Sequence, residues 1–432
     1  MSGMAKTGKL LDDCFAHDRD RLLHAEALRI LKERVAPLTE IERINLTEAA
    51  GRVLAATAVA PRPIPLHTNS AVDGFSFAAR DYDRNTGAEL PVDGRAAAGH
   101  PLAAAPAAAS AVRIFTGAVM PAGHDTVVMQ EDVRAGMADG RPVVAIPPGL
   151  KAGANVRKAG EDVKEGEILL HPGSVLRPQD LAALASIGSG TVLCFKRLRV
   201  GIVSTGDEVV RTGEVLQAGQ VYDANAPMLE ALIASTGAVS IDLGVLPDNL
   251  DAVQRRLADA ARQVDVIITS GGASRGEEDH VITALDALGK RHLWQLAIKP
   301  GRPMSFGQIG DCVMVGLPGN PVAVFVCFLL YVWPLLRRMG GAQWPVPRRY
   351  RLPALFAFPN RKTGRREFWR GFLQESPNGL AVDKFERDGS GLISGLRMAD
   401  GLIEIPEDVA AIHPGDGVDF IPFTEFGIAA RG

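Results

Sequence analysis

Residues 264–279 read VDVIITSGGASRGEED: an apolar run, a glycine-rich turn and then three acidic residues. The pattern that follows, DHVITALDALG, is typical of a helix. A buried strand that ends in such a turn exposes backbone N–H groups beside several carboxylates. Since N–H groups bind phosphate oxygens and carboxylates bind hard cations, the stretch predicts a site for phosphate and metal together.

The 432-residue chain is too long for one ordinary hydrophobic core, which predicts roughly two to four domains. Its composition, 47% hydrophobic and 22% charged, is that of a globular protein. The net charge of -3 argues against a protein that holds nucleic acid through its overall field. The N-terminus has no apolar segment of the kind found in secretion signals, which indicates a cytoplasmic protein. The cysteines form no CxxC pair and are expected to be reduced thiols: Cys14, Cys194, Cys312 and Cys327.

One uncharged stretch raises the question of a membrane span. Residues 322–336, VAVFVCFLLYVWPLL, carry no charge and are 15 residues long. A spanning helix needs ~20 residues. We therefore predict a fully buried helix between domains or subunits, and no membrane span.

The first half of the chain is predicted to form two domains. Residues 18–60 and 150–196 are expected to build a discontinuous N-terminal linking domain. Between them, residues 61–149 hold short β-type runs such as AVRIF, TVVMQ and PVVAI, which indicate a small inserted β domain. The predicted helices of the linking domain cover 18–37, 46–53 and 178–187.

Residues 197–341 alternate between strand-like and helix-like segments, which predicts an α/β domain with a mostly parallel sheet covered on both faces. Residues 342–432 return to short strands and turns and are expected to form a C-terminal β domain. The predicted strands of the α/β domain are RVGIVS, VSIDLGVL, VDVIITS and CVMVGLP. Its predicted helices are APMLEALIASTG, LDAVQRRLADAARQ, DHVITALDALG and the 322–336 run.

The polar clusters of the α/β domain fall at the carboxyl ends of its predicted strands, where ligands bind on parallel sheets. Taken alone, each cluster is equally explained as an ordinary helix-capping turn. The chain has no GxxxxGK[ST] loop, GxGxxG fingerprint, HExxH motif or nucleophile elbow, which counts against triphosphate hydrolysis and dinucleotide binding. The clusters are STGDE (204–208), YDAN (222–225), Asp248, SGGASRGEED (270–279), IKPGRP (298–303) and GLPGNP (316–321).

The last two clusters carry a specific expectation for anion binding. Asn320 as N-cap with Pro321 as first helical residue leaves free N–H groups at a helix start. Lys299 and Arg302 add positive charge nearby.

The ordered set NSAVDGF, IFTGAVMP, VVMQED, STGDE, YDAN, SGGASRGEED, IKPGRP and GLPGNPV resembles the molybdopterin molybdenumtransferases, the family that also includes the C-terminal region of gephyrin. The resemblance implies a homodimer of elongated four-domain subunits, with a three-layer molybdopterin-binding domain and a β-barrel-like C-terminal domain. It implies that molybdate is inserted into adenylylated molybdopterin with release of AMP, in the presence of Mg²⁺. Partners implied are a molybdopterin adenylyltransferase and proteins that mature molybdoenzymes.

The resemblance also assigns roles to residues. Catalytic roles fall on Asp73, Thr116, Asp162, Glu208, Asp248, Asp279 and Lys299, with Glu208, Asp248 and Asp279 as ligands of the cation. Together with the strand-end clusters, it assigns substrate binding to Ser204, Thr205, Gly206, Asp223, Asn225, Ser270, Gly271, Gly272, Gly276, Arg302, Pro318, Gly319, Asn320, Pro321 and Ser390. Asp73 is expected to come from the partner subunit.

Three positions depart from the family pattern: Gln295 stands where relatives often have a basic residue, Phe75 replaces a Tyr, and Arg302 replaces a Lys. Two other functions remain open at this point, a catalytically reduced pterin-binding scaffold and a molybdopterin adenylyltransferase. The retained acidic residues favour the transferase over a scaffold. The large additional domains argue against the adenylyltransferase.

Overall fold

The structure is a computed structural model that describes residues 21–246, 249–271, 280–377, 379–387, 389 and 391–431. It is a multidomain α/β protein built around three six-stranded sheets and several short strand pairs. The α-helices are His24–Arg34, Pro178–Ser186, Asn225–Ser235, Leu250–Ala261, His280–Leu288, Pro321–Cys327, Trp333–Met339 and Ile393–Met398.

The segments on either side of residues 61–149 close on one common core. Ile41–Asn45 pairs antiparallel with Thr191–Phe195, and helix Pro178–Ser186 packs against the segment that follows Ile41–Asn45. Two short antiparallel pairs lie nearby, Ala58–Val59 with Ile168–Leu170 and Asn69–Ser70 with Val156–Arg157.

One helix prediction in this region is wrong. Residues 46–53 form only the 3-10 turn Leu46–Glu48. Gly51 takes a positive φ of 72°, which ends helical geometry. Val53 and Leu54 then bridge to Val175 and Cys194 as extended chain. The N-terminal helix is confirmed but is shorter than predicted within the described part of the chain, His24–Arg34.

The three β-type runs predicted within residues 61–149 are strands of one mixed sheet, which is antiparallel except for one parallel pair. The buried core of this sheet consists mainly of aliphatic and aromatic residues such as Phe75, Phe77 and Val128. In sheet order the strands are Thr126–Met129, Gly74–Phe77, Ala111–Ile114, Ala88–Ala96, Arg141–Ile146 and Arg134–Ala138.

The central sheet has four parallel strands followed by two antiparallel ones. All four predicted strands are confirmed. The antiparallel pair Pro303–Ile309 and Lys290–Gln295 was missing from the prediction, because its sequence shows no separate apolar run. In sheet order the strands are Val239–Leu246, Arg199–Thr205, Val266–Ser270, Cys312–Leu317, Pro303–Ile309 and Lys290–Gln295.

Both faces of the central sheet are covered by helices. On one face, buried residues of helix Asn225–Ser235 and of the stretch 321–339 pack against alternate strand residues such as Ile202 and Val266. On the other face, helices Leu250–Ala261 and His280–Leu288 do the same. The alternation of strand side chains between two cores explains why these strands read as continuous apolar runs.

The uncharged residues 322–336 lie within a core helix of 19 residues, Pro321–Met339. By length and composition it would be able to cross a membrane, but 89% of its most apolar window is buried inside the protein. The prediction of a buried helix is therefore confirmed. Its middle, Phe328–Val332, is π-helical, because Pro334 cannot donate the N–H that would bond to Leu330 in a regular helix.

The last sheet joins the C-terminal region to the central one. Its edge strand Ile298–Lys299 leaves the central region and pairs in parallel with Arg366–Glu367. The other strands are antiparallel, with Gly379–Lys384 pairing off the main order. In sheet order they are Ile298–Lys299, Arg366–Ser376, Gly401–Ile405, Gly417–Pro422 and Tyr350–Pro353.

Candidate functional site

Three parallel strands end side by side at one edge of the central sheet, and their last residues contact one another. Thr205 Oγ1 donates a hydrogen bond to the Ser270 carbonyl at 3.2 Å. The Gly271 N–H donates to the Leu317 carbonyl at 3.1 Å. Gly271 has φ +95°, and a Cβ there would stand 2.4 Å from Thr205 Oγ1. Glycine is therefore required where the chain leaving strand Val266–Ser270 passes close to Thr205.

Asn225 ties two strand ends together from the start of its helix. Its Nδ2 donates to Ser270 Oγ at 2.8 Å and to the Gly319 carbonyl at 2.7 Å. Its Oδ1 is buried and accepts no hydrogen bond from the residues that the structure describes. A buried acceptor without a donor is destabilising. The strand ends therefore retain one unused acceptor.

Asp223 lies behind the strand ends with its side chain 2% exposed. It accepts hydrogen bonds from Ser204 Oγ at 2.5 Å, from Arg211 at 2.9 Å and from the Ala226 N–H at 3.0 Å. These contacts engage both carboxylate oxygens. The structure thus directs the Ser204 hydroxyl toward Asp223, which also caps the helix start as an Asx residue.

Glu208 is exposed on the loop after strand Arg199–Thr205. Its carboxylate lies over Gly206, where a Cβ would stand 2.5 Å from Oε2. Gly206 has φ +123°. A larger residue at 206 would displace the flexible Glu208 carboxylate, so the glycine leaves room for this oxygen donor at the carboxyl edge of the sheet.

A cavity of about 480 Å³ opens at this edge, between the central sheet and the C-terminal sheet. Six of the predicted site residues line it: Gly271, Lys299, Arg302, Pro318, Gly319 and Asn320. The opposite wall contains residues that the sequence motifs did not indicate: Phe368, Trp369, Arg370, Phe385 and Gly389. This wall follows the motifs by many residues and has no motif of its own, so only the fold brings it to the site.

Lys299 reaches the cavity from the edge strand of the C-terminal sheet. Its Nζ lies 3.9 Å from Glu367, and its side chain is 38% exposed. The buried Glu367 carboxylate also meets Arg365 at 3.0 Å and Arg361 at 3.6 Å. Since one carboxylate faces three cations, Lys299 remains able to bind an anion.

Arg370 supplies a second cation from the opposite wall. Its guanidinium donates to the carbonyls of Leu392 at 2.9 Å and Arg387 at 2.6 Å, and lies 4.8 Å from the centre of the Phe385 ring. Arg370 is 7% exposed. These contacts fix the guanidinium in the wall of the cavity.

The helix that starts at Pro321 presents its first turn to the cavity, with Asn320 as N-cap, as predicted. The Asn320 side chain makes no capping bond. The neighbouring wall is closely packed, because a Cβ at Gly301 would stand 2.1 Å from Cys327 Sγ. Gly301 has φ +99°, so both geometry and space require glycine there.

Asp73 and Thr116 form a separate pair in the sheet of residues 74–146. The Thr116 N–H and Oγ1 both donate to Asp73 Oδ1 at 2.7 Å, and these bonds hold the pKa of Asp73 below its usual range. Gly74 is needed beside it, because a Cβ would stand 1.8 Å from the Val128 carbonyl oxygen. Asp162 is exposed, and its backbone N–H bonds to Ile64. The cavity lining within one chain includes none of these residues.

Five predicted site residues lie outside the described residues: Asp248, Gly272, Gly276, Asp279 and Ser390. Two of the three predicted cation ligands are among them. In the part of the chain that the structure describes, no group of three His, Cys, Asp or Glu side chains forms a metal site. The remaining ligand, Glu208, is an exposed oxygen donor of the type that Mg²⁺ binds.

Comparison with known proteins identifies the family. Successive parts of the chain match the MoeA N-terminal region (domain I and II) over residues 23–188, a probable molybdopterin binding domain over 201–338, and the MoeA C-terminal region (domain IV) over 351–423. The chain is 38% identical to a molybdopterin molybdenumtransferase of Haemophilus influenzae, covering 89% of this chain and 94% of the relative.

Two further relatives extend the comparison. Gephyrin of Dictyostelium discoideum is 29% identical over 73% of this chain and 49% of its own length. A crystal structure of the molybdopterin biosynthesis protein MoeA from Pyrococcus horikoshii superposes with a TM-score of 0.78 at 29% identity, covering 93% of this chain and all of that one. The chain therefore belongs to the molybdopterin molybdenumtransferase family.

Proposed function

We propose that this protein inserts molybdate into adenylylated molybdopterin and releases AMP, forming molybdenum cofactor. The phosphoanhydride bond between AMP and the molybdopterin phosphate breaks as an oxygen of water or molybdate bonds to phosphorus, and AMP leaves. The observation that carries the proposal is the cavity at the carboxyl edge of the central sheet, where Gly271, Lys299 and Arg370 meet. A relative that matches 89% of this chain is named molybdopterin molybdenumtransferase.

The cavity suits the substrates by charge and by shape. Molybdate and the pyrophosphate group are anions, and Lys299, Arg302 and Arg370 line the cavity. Backbone N–H groups at the helix start after Asn320 favour the same charge. Trp369 and Phe385 add partly exposed aromatic side chains of the kind against which a planar heterocycle packs.

We also propose that Mg²⁺ binds at this site. Glu208, Asp248 and Asp279 would hold it through carboxylate oxygens. When bound, Mg²⁺ lowers the repulsion between these carboxylates and the substrate anions and polarises the bond to be broken. The chain's own part is to fix the anions, through Lys299 and the helix start, and to exclude water by the aromatic wall.

We further propose a cytoplasmic homodimer in which the Asp73–Thr116 pair and Asp162 complete the site of the partner. The proposal is supported by the absence of these residues from the cavity lining of the single chain. The proposed domains are 18–60 with 150–196, 61–149, a three-layer domain of 197–341 and a β-barrel-like domain of 342–432. The separate sheets and the helices on both faces of the central sheet support this division.

Purified protein supplied with adenylylated molybdopterin, molybdate and Mg²⁺ is expected to release AMP and to activate a molybdenum-dependent apoenzyme. AMP release is measured with and without molybdate. Binding of the pterin without molybdate-dependent AMP release would instead identify a scaffold. Formation of adenylylated molybdopterin from ATP, with release of pyrophosphate, would identify an adenylyltransferase.

A further inference from the structure

Arg211 is held between two carboxylates on different elements. Its Nη1 lies 2.9 Å from Asp223 Oδ2 and its Nη2 lies 2.5 Å from Asp242 Oδ1. We infer that Arg211 is a positioning residue of the transfer site, which fixes the loop that carries Glu208 against the strand ends. The expected effects on kinetics rest on the proposed function, but the contacts of Arg211 do not.

The Asp223 contact links Arg211 to the strand ends. The same Oδ2 accepts the Ser204 hydroxyl, and Oδ1 accepts the Ala226 N–H at the helix start. The first residue of that helix, Asn225, holds the ends of two further strands through its Nδ2. One guanidinium therefore supports a continuous set of contacts across three strand ends.

The Asp242 contact links Arg211 to the edge strand Val239–Leu246. That strand has an irregular register, since Ile202 pairs with Asp242 but Ser204 pairs with Val245. Asp242 Oδ1 also accepts the Gly244 N–H at 2.9 Å, and Gly244 takes φ +84°. Arg211 thus stabilises the irregular segment of the edge strand at residues 242–244.

The loop itself begins with Glu208 and returns at Asp223. The Val221 N–H donates to the Glu208 carbonyl at 2.8 Å, and the Asp223 N–H donates to the Val210 carbonyl at 2.9 Å. Beyond this ladder the loop extends into solvent, with Val215 90% exposed. The arginine at its base converts an exposed loop into a fixed support for Glu208.

The charge of Arg211 matters as well as its shape. Asp223 is buried, so loss of the guanidinium would leave a carboxylate with two neutral donors and no cation. That negative charge would then lie beside a cavity proposed to bind anions. Arg211 offsets one of the two negative charges of Asp223 and Asp242.

The chain offers a control in Arg199, the first residue of strand Arg199–Thr205, whose last residue precedes the loop that carries Arg211. Arg199 pairs with Asp265 through Nε at 3.4 Å and Nη2 at 3.0 Å. Like Arg211, it is an arginine with two charged contacts, but both go to the single carboxylate of Asp265. It differs in lying at the amino end of the strand, away from the cavity.

Arg211→Met is expected to lower kcat/KM for molybdate-dependent AMP release by about tenfold to a hundredfold, because small displacements of a site have effects of this size. Arg211→Lys should recover part of the loss, since an ammonium pairs with one carboxylate but does not bridge two. Arg199→Met should change kcat/KM by less than about threefold, because its pair with Asp265 is partly exposed and lies away from the cavity.

Amide hydrogen exchange gives a readout that needs no turnover. In Arg211→Met, exchange is expected to rise in residues 206–226 and in 242–246, and to stay unchanged at the amino ends of the strands. If Arg211→Met fails to fold, Asp242→Asn removes one contact at a side chain that is 44% exposed and should show the same exchange pattern more weakly.

Equal losses of activity in Arg211→Met and Arg199→Met, with unchanged exchange in residues 206–226, would overturn the inference. Absence of turnover in the wild type would refute the proposed function instead. The exchange pattern still decides the positioning role in that case.

Discussion

Among the described residues, the charge of Lys299 is balanced only in part, because the Glu367 carboxylate beside it also faces Arg361 and Arg365. The motif IKPGRP predicted a cation here. It did not predict how the cation is held, since the pairing of Ile298–Lys299 with the C-terminal sheet depends on residues far along the chain. The same holds for Arg370 on the opposite wall, whose role in the cavity depends on backbone carbonyls of Arg387 and Leu392.

Lys299→Met is expected to lower kcat/KM about tenfold to a hundredfold, mainly through weaker anion binding, because a charge-assisted contact is lost. The remaining activity should also depend less on salt concentration. Steady-state kinetics of AMP release over a range of molybdate concentrations and ionic strengths measures both effects.

Lys196→Met is the control, because Lys196 also pairs with a glutamate, Glu40 at 2.8 Å, but on the surface. It should leave both quantities unchanged. Wild-type kinetics in Lys299→Met would contradict an anion-binding role for this lysine.

At the level of secondary-structure elements, the sequence predicted the strands and helices whose apolar pattern is continuous. Three of the four parallel strands follow from runs such as VDVIITS, because a strand buried on both faces shows no alternation. The fourth, Val239–Leu246, is an edge strand that is only partly buried. The antiparallel strands Pro303–Ile309 and Lys290–Gln295 were missed, since they mix apolar residues with Lys290, Arg291 and His292. The opposite error occurs at residues 46–53, which were predicted to be a helix but are not. The positive φ of Gly51 is incompatible with a helix there.

The N-terminal helix joins the buried run through a polar contact that the sequence did not indicate. His24 Nδ1 lies 2.8 Å from Tyr331 Oη, and the His24 ring packs edge-on to Phe368, a residue of the cavity wall. Burial is the main cause that lowers the pKa of His24 from 6.5 to about 3, helped by Arg366 and Arg349.

This pKa predicts a pH dependence of stability. Between pH 6.5 and about 3 the unfolded chain binds a proton at His24 that the folded chain does not bind. The contribution is therefore complete above pH 6.5 and is lost as the pH falls, by at most about 1.4 kcal/mol per pH unit. His24→Phe should make the acid limb of the stability curve shallower by about one proton in urea unfolding experiments.

The exposed His100 provides the control, because His100→Phe should keep the wild-type slope. An unchanged slope in His24→Phe would mean that His24 is protonated in the folded protein. The midpoint of unfolding alone does not decide the question, since His24→Phe also removes the contact with Tyr331.

On the scale of the whole molecule, the proposed site is divided between two sets of residues. Lys299 lines the cavity of its own chain, whereas Asp73 lies in the inserted sheet outside that lining. The sequence motifs assigned Asp73 and Lys299 to one functional site but gave no distance between the two residues. A second subunit that brings Asp73 to the cavity is the arrangement we propose.

Mixed dimers test this arrangement. Asp73→Asn and Lys299→Met are each expected to be nearly inactive, but together they should recover about a quarter of the wild-type activity. In a symmetric dimer with shared sites, one site of each mixed dimer carries both wild-type residues, and about half of randomly formed dimers are mixed.

Co-expression with two different affinity tags isolates the mixed dimers for assay of AMP release. Purified mixed dimers should reach about half of the wild-type activity per dimer. Inactive mixed dimers would place Asp73 and Lys299 in the same site of a single chain. A monomer at working concentration would refute the homodimer itself.

The buried run Pro321–Met339 has a consequence for the order in which the chain is made. Phe325 packs against Phe423 and Trp333 against Phe426, with ring centres 5.1 Å apart in both pairs. A ribosome delivers the helix well before it delivers these two phenylalanines. Until then the most apolar surface of the nascent chain is uncovered, so final closure of this core waits for the last strand and the turn after it, Gly417–Phe426.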